Sequence, residues 1–180
     1  GFWIGTMGKK AELGAGAIYR YYQGALRKLY AGITIPNAIC FAPGGRTAHF
    51  TDTVTGRVMR VGLDAAGWPV GAPQVFLDLT LLGLNPDGAV MDAAGLLWVA
   101  QWGAARVAAY SPDGSLVRHV DFDAPHTSCP AFGGPGLTTL YCTSALEGMD
   151  AAARAAHPHA GMTFAAEGVA TGQAEHRVFP

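Results

Sequence analysis

An all-β fold of the β-propeller kind is predicted by three features of this 180-residue sequence. They are a repeat of about 40–50 residues, short apolar strands inside each repeat, and glycine-rich turns between the strands. Gly45-Arg46-Thr47-Ala48-His49-Phe50-Thr51-Asp52 leads into Gly56-Arg57-Val58-Met59-Arg60-Val61. Gly95-Leu96-Leu97-Trp98-Val99-Ala100 leads in the same way into Arg106-Val107-Ala108-Ala109-Tyr110. Gly1-Phe2-Trp3-Ile4-Gly5-Thr6 with Gly16-Ala17-Ile18-Tyr19-Arg20-Tyr21 forms another unit, and Gly136 to Thr143 with Gly161-Met162-Thr163-Phe164 forms a fourth. The starts lie 44, 50 and 41 residues apart. A β-sandwich with chance likeness between strands competes with this reading, but four units keeping one internal order favour the repeat.

Each element has its own local signal. Arg57 to Val61 and Arg106 to Tyr110 are short apolar runs bounded by turns, the mark of strands. Ala42-Pro43-Gly44-Gly45 and Ser111-Pro112-Asp113-Gly114 carry turn chemistry. Helix signal is weak: the Ala-rich stretch from Asp150 to Ala156 predicts two turns, stopped before Pro158. The first unit begins at its second strand. Residues 1–180 are therefore expected to form one domain, a partial propeller of about four blades that does not close alone, with N-terminal blades upstream.

Composition narrows the function classes. Hydrophobic residues make up 50% and charged residues 14% of the chain, which excludes disorder. A net charge of -1 leaves no basic stripe for nucleic acid. The longest uncharged stretch, Thr127 to Leu146, holds two prolines, three glycines and six Ser/Thr, so no membrane partner is expected. No targeting segment is visible. Cys40, Cys129 and Cys142 fit neither a disulfide framework nor a CxxC site, and read as buried residues of a reducing, cytoplasmic protein.

Two positions stand out by repeat symmetry. Ile35-Pro36-Asn37 precedes the strand of the second unit, and Asn85-Pro86-Asp87-Gly88 that of the third, fifty residues later. Equivalent residues at the entrances of innermost strands converge on a propeller's axis. Asn37 and Asp87 together offer an amide carbonyl and a carboxylate, an oxygen set that suits a hard divalent cation. Pro-Asp-Gly is also an ordinary turn, which is the competing reading of Asp87. His126 holds a roughly equivalent place in the fourth unit, and Trp102 beside Gly103 is placed to reach the channel mouth. His157-Pro158-His159 and Lys9-Lys10 read as solvated loops.

Taken in order, Gly5-Thr6-Met7, Ile35-Pro36-Asn37, Asn85-Pro86-Asp87-Gly88, Leu97-Trp98-Val99-Ala100, Cys129 to Gly134, Leu140 to Ser144 and Gly161 resemble the SMP-30/gluconolactonase/regucalcin family. The resemblance covers nearly the whole chain. It implies a six-bladed propeller that hydrolyses a sugar lactone with one divalent cation (Ca²⁺, Mg²⁺, Mn²⁺ or Zn²⁺) in its channel. It further implies that Asn37 and Asp87 are metal ligands, that Asp87 is the catalytic base, and that a third ligand, a glutamate, lies upstream of Gly1. Lys10 matches the place of an acidic substrate-binding residue in animal members, so sugar selectivity is expected to differ. Gly44 stands where many members have Asp. The alternatives are a non-catalytic metal- or partner-binding propeller, or a hydrolase of other esters or phosphotriesters.

Overall fold

The computed structural model describes residues 1–178. It consists of four antiparallel sheets, each a meander in which strands consecutive in sequence are neighbours in space. The first sheet holds β1 (Phe2–Thr6), β2 (Gly16–Tyr22) and β3 (Ala25–Ile33). The second holds β4 (Pro36–Phe41), β5 (Thr47–Asp52), β6 (Arg57–Leu63) and β7 (Pro69–Asp78). The third holds β8 (Asn85–Met91), β9 (Leu97–Trp102), β10 (Arg106–Tyr110) and β11 (Leu116–Asp121). The fourth holds β12 (Thr127–Gly133), β13 (Thr139–Ser144) and β14 (Thr163–Glu167). The four sheets coincide with the four repeat units, and the first starts at the counterpart of β5. The predicted helix is present as α1 (Ala151–Ala156), capped by the Asp150 carboxylate, which accepts from Ala153 N at 2.8 Å.

Burial follows each strand's rank within its sheet. All of Leu97 to Gln101 on β9 is buried, as is Val107 to Tyr110 on β10. These middle strands are covered on both faces, so their sequences are continuously apolar rather than alternating. Their side chains divide by the two-residue period of the strand. Leu97 and Val99 pack toward the second sheet with Val58, Leu77 and Met91. Trp98 and Ala100 pack toward the fourth with Leu140 and Cys142. Trp3, Ile18, Phe50 and Val61 join the first sheet to the second. The core is thus a set of layers between successive sheets, and outer strands such as β11 are mostly exposed.

Arginines on the corresponding strands β2 and β6 reinforce these layers. The buried Arg20 guanidinium donates from Nη2 to the Ala66 carbonyl in the next sheet's turn and stacks on Trp68 at 4.1 Å. One unit later, Arg60 Nη1 donates to the Pro112 carbonyl at 2.9 Å. The innermost strands also pack in succession, β4 on β8 and β8 on β12.

The cysteine expectation holds for Cys40 and Cys142, which are buried, but Cys129 is exposed. Cys129 lies on the innermost strand β12, where its side chain turns toward Gly88 rather than into the layer below. Among the described residues, no helix is long and apolar enough to cross a membrane.

His49 is the most acid-sensitive group of the core. It is 4% exposed, faces Arg60 on the neighbouring strand, and leaves Nδ1 without a partner. Burial, then the Arg60 charge, depresses its pKa from 6.5 to about 4. The unfolded chain therefore binds more protons than the folded one between these values, and stability falls as pH drops through that window. The expected loss is on the order of 2–3 kcal/mol. Urea unfolding of the wild type and His49→Phe at pH 4.5 and 7 checks this. The variant should lose distinctly less stability on acidification.

Candidate functional site

The site is built at the entrances of β4 and β8. Both are edge strands of their sheets, so Pro36 and Pro86 remove no hydrogen bond that the ladder needs. Both carry a register shift directly at the candidate residue, between Asn37 and Cys40 on β4 and between Pro86 and Ala89 on β8. Such bulges bend the strand and re-aim a side chain that regular pleating would send elsewhere. On β4 the bulge places Ala38 at φ 51, a left-handed conformation uncommon outside glycine.

Packing fixes each entrance. The buried Asp52 carboxylate accepts from Thr34 N at 2.8 Å and Ile35 N at 2.9 Å, which anchors the chain leading to Asn37. At β8 the constraint is close approach. A Cβ on Gly88 would stand 2.7 Å from the Ser128 carbonyl oxygen and 2.9 Å from Cys129 Cα, so only glycine lets β8 lie against β12 here.

Asn37 and Asp87 are thereby brought to one cavity of about 310 Å³, together with Ile35, Thr53, Trp102 and Glu147. Burial raises the Asp87 carboxyl to about 6, against a weaker lowering from the Gly88 N–H. Asn37 Nδ2 donates to Thr53 Oγ1 at 3.0 Å, and its Oδ1 enters none of the hydrogen bonds among the described residues. The oxygen donors facing the cavity suit a hard cation. Two of them do not fill a coordination shell, and no cluster of three His, Cys, Asp or Glu is present among the described residues.

Trp102 forms one wall and stacks on His126, with ring centroids 4.3 Å apart and planes 8° from parallel. His126 Nδ1 is buried without a partner. Glu147 reaches the cavity from the long connection between β13 and β14, a segment with no counterpart of its length in the other units. Met149, packed with Ala124 and Ala160, pins that connection two residues further on. Neither Glu147 nor Thr53 carries a signal in the sequence. Repeat symmetry shows only residues that recur, and neither does.

Lys10 lies exposed in the loop between β1 and β2 and is not among the residues lining the cavity. His159 is exposed and paired with Asp123 at 2.6 Å. A second cavity, of about 340 Å³, lies at the opposite strand ends beside Trp3 and Arg20. It contains no carboxylate and does not offer the same chemistry.

Comparison with known proteins bears on the family and the fold. Residues 1–146 match the model of the SMP-30/gluconolactonase/LRE-like region. The chain belongs to that family. It is 53% identical, over 163 residues, to a Rhizobium meliloti (strain 1021) protein provisionally named a sugar lactone lactonase, covering 90% of this chain and 55% of that one. It is 37% identical over 143 residues to the L-arabinolactonase of Azospirillum brasilense, covering 79% of this chain and 47% of that one. Its fold superposes with a TM-score of 0.93 on the crystal structure of a calcium-binding protein, regucalcin, from Agrobacterium tumefaciens str. C58, at 46% identity. That match covers 96% of this chain and 59% of the other. The chain thus spans about half the length of the curated relatives it matches.

The close approach at Gly88 gives a direct test. Gly88→Ala should force β8 and β12 apart and cost roughly 1–3 kcal/mol, the scale of overpacking in a tight contact. Gly62→Ala, with no neighbour within 4 Å of the added methyl, is the control and should be close to neutral. Thermal or urea unfolding of both variants decides between a required glycine and an incidental one.

Proposed function

We propose that the full-length protein carrying this chain hydrolyses a sugar lactone at the Asn37–Asp87 cavity with the help of one divalent cation, within a six-bladed propeller. The observation that carries the reading is the convergence on one cavity of two oxygen ligands from equivalent places on neighbouring sheets. The lactonase names of the relatives supply the substrate class, and the calcium-binding description of the A. tumefaciens regucalcin supports the cation. The third protein ligand is proposed to be a glutamate from blades preceding Gly1.

Lactone hydrolysis adds water to the ring carbonyl carbon and then breaks the ring C–O bond. A bound Ca²⁺, Mg²⁺, Mn²⁺ or Zn²⁺ would supply polarisation of that carbonyl and acidification of a water. Asn37 and Asp87 would hold it through Oδ1 and the carboxylate. Asp87 takes the proton from the attacking water and returns it to the departing ring oxygen, leaving the free aldonic acid. Burial raises the metal-free Asp87 carboxyl to about 6, and a coordinated dication would pull it back down, so the cation's acidification of the water has to carry the proton transfer to Asp87. Trp102 offers an apolar face to the carbon side of a sugar ring. Glu147 offers a carboxylate to its hydroxyls, at the opening of the cavity.

Two outcomes follow in the full-length protein. Asp87→Asn keeps the size and one carbonyl oxygen, and turnover should fall by a factor on the order of 10²–10⁴, the scale of general-base loss. Excess cation should refill the site without restoring the rate; full recovery would reduce Asp87 to a ligand, and unchanged activity would remove it from the site. Cation affinity should also weaken as pH falls through about 6, because the proton and the cation compete for the same carboxylate. Titrating Mn²⁺ or Ca²⁺ at pH 5 and pH 7.5 measures this; equal affinities would exclude Asp87 as a ligand.

A further inference from the structure

Thr53 stands between the two candidate ligands. Its backbone is fixed by the N–H that donates to the Ile35 carbonyl at 3.0 Å. Its hydroxyl is 2.8 Å from the Pro86 carbonyl oxygen of the neighbouring sheet and 3.0 Å from the Asn37 amide. A carbonyl oxygen can only accept, so the single hydroxyl proton of Thr53 is committed to Pro86. Toward Asn37 the hydroxyl can then only accept. Asn37 must therefore turn Nδ2 toward Thr53, which leaves Oδ1 at the other end of the amide. This orientation follows from counting donors and acceptors, and needs no distinction between nitrogen and oxygen in the side chain itself.

The consequence is chemical. An amide presented to a cation oxygen-first is a ligand; presented nitrogen-first, it directs partial positive charge at the cation and has no lone pair to offer. Pro86 immediately precedes Asp87, so the same hydroxyl that sets the Asn37 amide also holds the backbone beside the carboxylate. We propose that Thr53 is a positioning residue: it selects the Asn37 orientation that presents Oδ1 to a hard cation and fixes the spacing between Asn37 and Asp87. This rests on the cation-site reading above. Hydrogen-bonded partners of metal ligands commonly act in this way, and removing one typically costs about 10- to 100-fold in metal affinity.

The test uses the full-length protein, with Mn²⁺ as the probe followed by electron paramagnetic resonance. Thr53→Val keeps the side-chain shape and loses both hydrogen bonds, and Thr53→Ser keeps them. The valine variant should bind Mn²⁺ about 10- to 100-fold more weakly, and the serine variant close to wild type. In an Asn37→Ala background Thr53→Val should cost distinctly less than in the wild type, since one of the two groups it positions is gone and only its hold on the Pro86 backbone remains. A valine variant that binds like wild type, or that loses as much again in the Asn37→Ala background, would overturn the proposal. A second readout works without metal. Side-chain amides are labelled with ¹⁵N on asparagine, and the Asn37 and Asn85 signals are assigned by their loss in Asn37→Ala and Asn85→Ala. The Asn37 amide protons should be protected from exchange in the wild type and Thr53→Ser and released in Thr53→Val, with exposed Asn85 unchanged. Equal exchange in all three proteins would refute the role of Thr53. A wild type that binds no Mn²⁺ would instead overturn the cation reading and leave the exchange experiment to judge Thr53. Thr53→Ala carries the same comparison if the valine variant does not fold.

Discussion

The approach of one innermost strand to the next is the constraint on which the rest of the site depends. Successive sheets share their apolar layers, so each must sit close to its neighbours along the whole length of the middle strands. At the inner edge there is no room for ordinary side chains everywhere. Gly88 yields its side chain to the backbone of Ser128 and Cys129. Gly5 does the same for Pro36, since a Cβ there would stand 2.8 Å from the proline ring. The backbone of the neighbouring residues, Asn37 and Asp87, is consequently held by this packing, and the Asn37 side chain is held in addition by Thr53. Side chains on a rigid frame need less reorganisation to bind a ligand.

Burial and polarity are divided accordingly. Apolar residues fill the layers, while polar groups gather where strands enter and leave. Asp52 fixes the backbone at Thr34 and Ile35, Thr53 links Asn37 to Pro86, and Trp102 rests on His126. Each of these joins an inner-strand entrance to the neighbouring strand, loop or sheet. The same close packing raises the pKa of Asp87, because desolvation penalises its charged form. A fold-level requirement and a chemical property therefore share one cause.

Much of the fold was legible in the sequence. Glycine turns, Arg-Val strands and the spacing of the units predicted sheets that the structure contains, including the first sheet's start at the counterpart of β5 and the short helix after Asp150. That Asn37 and Asp87 would face one cavity was legible for the same reason, since they hold equivalent places in successive units. What does not recur was hidden. Glu147 arrives through a connection peculiar to the fourth unit. Thr53 is one of three threonines in Thr51 to Thr55, and its role depends on a carbonyl from the next sheet. The exposure of Cys129 was missed because residue type alone cannot tell an innermost strand from a middle one. Lys10 was taken from resemblance, and its loop does not line the cavity formed by the described residues.

Everything proposed for this cavity depends on Asn37 and Asp87 holding one cation between neighbouring sheets. The most direct measurement is an anomalous difference map from crystals of the full-length protein grown with Mn²⁺. A single strong peak is expected in the cavity, roughly 2.0–2.6 Å from Asn37 Oδ1 and from a carboxylate oxygen of Asp87. A map with no peak there, or with the ion bound away from both residues, would contradict it.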